Sequence, residues 1–162
     1  MCAKAYFKRT GNKDIVLDEL SKLPNQFILL KNVFLRLAWP MTHQKTSEIV
    51  RSCQIDYVVI GPPGVSIIEA KNWDNNSFTD MIPYQEADKA GLVVYIKLKR
   101  YFNKKLPIYN IIVTFRKVPH IQYGYVHQLT LWNLTTFIFD QEKILSKSEI
   151  RQLGKIFMRK FR

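Results

Sequence analysis

Apolar and polar positions along the chain fall into segments of two periods. Ile15, Val16, Leu20 and Leu23 recur at helical spacing, with Thr10 as a cap before them and Pro24 as a stop after them. NQFILLKNVFLRLAW (Asn25 to Trp39) alternates in part and predicts a long strand. PMTHQKTSE (Pro40 to Glu48) reads as a polar loop. IVRSCQIDYVVIG (Ile49 to Gly61) and VSIIEAKNW (Val65 to Trp73) predict a second and a third strand. Pro62, Pro63 and Gly64 form the turn between them, so the two pair antiparallel. After the loop DNNSFTDMIP, Pro83 opens a helix whose inward stripe is Ala87, Ala90, Val94, Leu98 and Tyr101.

LPIYNIIVTF (Leu106 to Phe115) reads as a buried strand. A short strand near Val126 to Leu129 and a short helix around Trp132 to Phe139 follow. The last helix begins at Ser146-Lys-Ser-Glu149, a capping-box pattern. Ile150, Leu153, Phe157 and Phe161 make its apolar stripe. The predicted order is helix-β-β-β-helix-β-β-helix. It describes an α/β domain, an α+β mixed sheet flanked by helices. One domain over residues 1–162 is expected, with 1–10 loosely attached. No repeat or Gly/Pro/Ser-rich linker interrupts it.

Charge changes this picture. Lys plus Arg number 25 against 13 Asp plus Glu, a formal net charge of +12. The excess is concentrated. Lys97 to Lys105 (KLKRYFNKK) holds five basic residues in nine, among them Lys97, Lys99 and Arg100. The final helix places Lys147, Arg151, Lys155 and Arg159 on the side opposite its apolar stripe. These seven are the candidate nucleic-acid-binding residues, because neutralised phosphates release counterions. The plain alternative is a set of solvated faces.

No window approaches the length of a membrane span, and the N-terminus lacks an apolar signal core. No membrane association and a cytoplasmic location are therefore expected. Cys2 and Cys53 form no CxxC pair and read as free thiols. His43, His120 and His127 are scattered and read as loop or surface residues. Trp39, Trp73 and Trp132 read as core or rim.

The candidate chemistry lies in the central hairpin. Asp56, Glu69 and Lys71 interrupt its apolar runs. A turn at Pro62 to Gly64 brings 56 and 69 to comparable heights. Residues 69 and 71 share a face because strand side chains alternate. Two carboxylates are hard oxygen ligands for Mg²⁺ or Mn²⁺. A lysine is a point charge able to hold a phosphate or a water. The alternatives are a strand-end role for Asp56 and a salt bridge between Glu69 and Lys71.

QID followed by VVIGPPGVSIIEAKNW resembles the core of the nuclease-related domain (NERD) family, a branch of the PD-(D/E)XK nuclease superfamily. Asp56, Glu69 and Lys71 match the D…ExK pattern. Gln54 and Ile55 match the residues before the aspartate. Gly61, Pro62 and Gly64 match the GPxG turn, and Asn72-Trp73 the KNW ending. PYQ (Pro83 to Gln85) resembles the start of the helix that follows the active strand, without the tyrosine that related RecB-like nucleases carry on it. The strand after that helix and the closing helix resemble the family's as well, from about Gly11 to the end.

The resemblance implies metal-dependent hydrolysis of phosphodiester bonds in DNA, or in RNA. Asp56 and Glu69 would hold Mg²⁺ or Mn²⁺. Lys71 and Gln85 would join them as catalytic residues. The family's Gly-Glu at the first helix is Gly11-Asn12 here, so Asn12 would act through water, with Asp14, Asp18 or Glu19 as substitutes. A homodimer and a helicase or other accessory protein are the partners it suggests beside nucleic acid. The alternatives are a catalytically weak or inactive nuclease fold that only binds nucleic acid, and a protein-interaction module.

Overall fold

Helix α1 (Asn12–Leu20) leads into a three-stranded meander of β1 (Ile28–His43), β2 (Glu48–Gly61) and β3 (Gly64–Lys71). Helix α2 (Ile82–Leu98) crosses over to β4 (Ile108–Thr114). Then come β5 (Val126–Thr130), α3 (Leu134–Asp140) and α4 (Lys147–Arg159). The computed structural model describes residues 12–71, 81–115 and 121–159, with side chains from Ile15 onward. The proposed cap Thr10, Asn72-Trp73, His120 and Phe161 lie outside the described residues, as do the side chains of Asn12 and Asp14.

The sheet order is β1-β2-β3-β4-β5. β1, β2 and β3 pair antiparallel, and β4 and β5 add in parallel to β3. Helices cover both faces. Val33, Leu35, Val58, Ile60, Val65 and Ile67 pack with residues of α2 and α4. Tyr57, Val59, Ile68, Ile111 and Val113 pack on the other face with Val16, Leu20, Leu134 and Ile138 from α1 and α3. Burial on both faces explains why β3 is apolar almost throughout, as central strands with two covered faces are. The mixed sheet with four helices is the α+β class expected, and α3 is the short helix read around Trp132 to Phe139.

Local chemistry sets the element ends. The Ser146 N–H donates to the Glu149 carboxylate at 2.7 Å, and the Glu149 N–H donates to Ser146 Oγ at 3.2 Å, so the capping box forms. The Pro62 carbonyl at the hairpin tip accepts N–H groups from Ile144 and Leu145, each at 2.8 Å. Gly64 has φ of +138°, and a Cβ there would collide with the Pro107 carbonyl. The tip of the β2–β3 hairpin is thus held by the segments that precede β4 and α4.

Several boundaries differ from the sequence reading. The segment Pro40 to Glu48 is not a polar loop. β1 continues to His43, and only 44–47 turn. Pro40 is accommodated because pairing shifts register between Arg36 and Met41, and because β1 is an edge strand whose missing donor harms no ladder. His43 is not a surface residue. It is 4% exposed, and its Nε2 lies 2.7 Å from Asp88 on α2. Ile15 faces solvent rather than the core, and α1 ends at Leu20. Tyr101 falls in a 3₁₀ turn after α2, and Leu131–Asn133 form another before α3. Trp39 and Trp132 are exposed and so are not core residues.

Candidate active site

The carboxylates meet where β2 and β3 part. Paired positions run from Gly61–Gly64 to Tyr57–Ile68 and end there. The next step along each strand is Asp56 and Glu69. The Ala70 N–H donates to Asp56 Oδ2 at 3.1 Å, tying Asp56 across the gap. Ala70 packs with the α1/α3 layer, so Glu69 and Lys71 on either side of it point toward the α2 layer.

Asp56 also marks a break in the pleat. Val58 and Ile60 pack toward α2, and so does Ile55, so the alternation of β2 is broken once between them. On β1 the break falls between Leu30 and Val33, which share that cluster. Lys31 pairs with Tyr57 and Val33 with Ile55, which leaves Asn32 across from Asp56. Asn32 has φ of +52°, a left-handed conformation that asparagine tolerates better than most residues. A residue absent from the sequence reading therefore shapes the turn of chain that carries Asp56.

Burial pushes the Glu69 carboxyl up to about 7 from 4.5. The neighbouring Asp56 charge pushes the same way, and the Lys71 ammonium only partly opposes both. Burial, with Glu69's charge behind it, also drives the Cys53 thiol up to about 12. Cys53 is therefore a protonated free thiol, not a nucleophile. Burial lowers His127, which lies between Tyr109 and Phe137.

In register, Glu69 stands beside Ile112 and Gln128, and Lys71 beside Thr114 and Thr130. The Tyr84 hydroxyl donates to Gln128 Oε1 at 2.5 Å, which fixes the first turn of α2 at the level of Glu69. Gln85, half-buried, is on that turn. One turn further, Asp88 bonds His43, and Lys89 pairs with Glu48 and Glu86. These contacts clamp α2 to the β1–β2 hairpin. Tyr84, Gln128, His43 and Asp88 were missed in the sequence because their partners lie more than 40 positions away.

Of the basic residues, Lys97 lies within charge range of Cys53, which also feels Glu69 and stands three positions from Asp56 on β2. Lys99 and Arg100 are exposed and Lys97 half-buried at the far end of α2. That end leads into Pro107, whose carbonyl accepts the Val65 N–H at 3.0 Å, at the start of β3. Lys147, Arg151, Lys155 and Arg159 are exposed on α4 as expected. Lys104 pairs with Glu149 at 2.8 Å, bringing the first basic segment to the start of α4. Of the proposed substitutes for Asn12, Glu19 is occupied by Lys22 and by the Thr135 hydroxyl at 3.0 Å, and Asp18 is exposed.

Among the described residues no group of three His, Cys, Asp or Glu side chains is placed to hold a metal ion. Asp56 and Glu69 are a pair. Their chemistry fits Mg²⁺ or Mn²⁺, ions commonly bound through one or two carboxylates with water completing the shell. The burial and the Asp56 charge that raise Glu69 are what a divalent cation would offset.

An α+β domain with two carboxylates and a lysine at the parting of a central hairpin has the outline of a nuclease fold. The nuclease-related domain (NERD) family model matches residues 8–115, and the chain belongs to that family. The match takes in α1 through β4, with Asp56, Glu69, Lys71 and Gln85 inside it. β5, α3 and α4 fall beyond its end. No curated protein matches the chain. Among the described residues no helix is long and apolar enough to cross a membrane.

Proposed function

We propose that the protein is a metal-dependent nuclease that hydrolyses phosphodiester bonds in DNA at the Asp56–Glu69–Lys71 site. The observation that carries this reading is the half-buried Glu69 carboxyl held beside Asp56 where β2 and β3 part, with Lys71 on the same face. A purely structural ion pair would not concentrate acid in this way.

Asp56 and Glu69 hold the cation. Bound there, Mg²⁺ or Mn²⁺ would neutralise charge on a phosphate and lower the pKa of a water. Ala70 keeps Asp56 in place through its N–H. Lys71, on the same face as Glu69, supplies a positive charge for a phosphate oxygen. Gln85 offers an amide from the first turn of α2, whose position is set by the Tyr84–Gln128 and His43–Asp88 bonds. Hydrolysis in the manner of the superfamily leaves a 5′-phosphate. Lys97, Lys99, Arg100 and the basic face of α4 attract the DNA backbone.

The test uses circular single-stranded and supercoiled duplex DNA with Mg²⁺, Mn²⁺ or EDTA, beside Glu69→Ala and Lys71→Ala. Cutting that needs metal and is lost in both variants is expected. Cutting in EDTA, or by both variants, contradicts the assignment.

A further inference from the structure

A cavity of about 230 Å³ opens between the last turn of α2 and the segment that leads into β4. Tyr95, Lys99, Phe102, Lys104, Lys105 and Leu106 line it. None of Asp56, Glu69, Lys71 and Gln85 does, so it is separate from the candidate active site. Leu106 is buried and Phe102 half-buried against the α2/α4 core, which makes the interior apolar. Lys99 and Lys105 are exposed and stand at the mouth.

The segment around the cavity is pinned. Lys104 Nζ donates to the Ile144 carbonyl at 3.1 Å and pairs with Glu149 at 2.8 Å. The Pro107 carbonyl accepts the Val65 N–H at 3.0 Å. The walls are therefore in place before any ligand arrives, as those of most ligand sites are. Lys104 is matched by Glu149, whereas Lys99 and Lys105 make no ion pair among the described residues. Lys99 Nζ lies 5.9 Å from the Tyr95 ring centroid, a cation–π contact that keeps its charge beside the aromatic wall. Among the described residues no acid lines the cavity.

We propose that this cavity binds one nucleotide, with its base against Tyr95 and Phe102 and its phosphate on Lys99 and Lys105. Aromatic walls accept a base by stacking, because every base has a π face. Two ammonium groups without carboxylate partners at the mouth select an anion. The volume lies below the roughly 300–1,000 Å³ of sites that enclose drug-sized ligands, which suits a single base with its phosphate left at the mouth. An acidic side chain of a protein partner would answer the lysines and leave the apolar interior unfilled. A free nucleotide and a nucleotide within a DNA strand present the same groups. The site is additional to the hydrolytic one and does not depend on cutting.

Binding is measured on the full chain in EDTA. Deoxyadenosine monophosphate, deoxyadenosine and inorganic phosphate are titrated by calorimetry, and a labelled deoxyadenosine oligonucleotide by fluorescence anisotropy. Wild type should bind the monophosphate about tenfold more tightly than deoxyadenosine or phosphate. Tyr95→Ala and Lys105→Gln should each weaken monophosphate binding about tenfold. Both side chains are exposed, so the thermal midpoint should not change. Tyr95→Phe should restore most of the loss. Weaker oligonucleotide binding by the same two variants assigns the cavity to a nucleotide of a strand, and unchanged oligonucleotide binding assigns it to a free nucleotide. Monophosphate bound no more tightly than phosphate, or equally by wild type and both variants, overturns the proposal and leaves the Asp56–Glu69–Lys71 reading standing. A polyglutamate peptide bound as tightly as the oligonucleotide, with the same loss in Tyr95→Ala, overturns it in favour of an acidic protein partner.

Discussion

Replacing Glu69 by glutamine should stabilise the metal-free protein at and above neutral pH. In the unfolded chain the carboxyl ionises near its ordinary 4.5. In the folded protein burial and Asp56 hold its pKa at about 7. Below 4.5 both states carry the proton and Glu69 costs nothing. As pH rises from 4.5 to about 7, the unfolded state ionises first and stability falls. Above that range both states are ionised and the full cost is present. At about 1.4 kcal/mol per pH unit, the interval amounts to about 3 kcal/mol. Glutamine keeps the shape and removes the charge. Urea unfolding of wild type and Glu69→Gln in EDTA should therefore give similar stabilities near pH 4. At pH 8 the variant should be the more stable by about 2–3 kcal/mol. A variant less stable than wild type at pH 8, or a difference that does not change with pH, would refute the burial and like charge that hold Glu69 up.

Asn32→Ala should cost about 1–2 kcal/mol and Asn32→Gly little, because φ of +52° disfavours a Cβ; chemical denaturation separates them. Gly91→Ala should cost about 1–3 kcal/mol, since its Cβ would strike the Asn110 amide, and Asn110→Ala added to it should recover part of the loss. Ser146→Ala should cost about 1 kcal/mol by removing the α4 cap, seen as a lower thermal midpoint with unchanged DNA cutting.

The hairpin was legible because its signals are local. Pro62-Pro63-Gly64 specifies the turn, and counting from it puts Asp56 level with Glu69. Alternation then turns Glu69 and Lys71 to one face. The stripe Ile150, Leu153 and Phe157 likewise needed only a helical period. The end of β1 was not legible, because Pro40 inside a polar run reads as a stop unless a bulge is known to receive it. His43 looked like a loop residue because the aspartate that buries it is 45 positions away. The pleat break at Asn32 and Asp56 was hidden for another reason. Reading faces from alternation assumes an unbroken strand, and here two paired strands break together. The basic residues were found by composition, but composition carries no position. Only the fold shows that Lys97 comes within charge range of Cys53 and that Lys104 meets the start of α4.

Manganese binding reports most directly on Asp56 and Glu69 as a metal-holding pair. The free Mn²⁺ signal in electron paramagnetic resonance can be followed as protein is added at pH 8. Wild type should remove one Mn²⁺ per chain, more weakly near pH 6, where Glu69 holds its proton. Asp56→Ala and Glu69→Gln should leave the signal unchanged. An undiminished signal with wild type at pH 8, or equal uptake by wild type and both variants, would contradict a metal site at this pair.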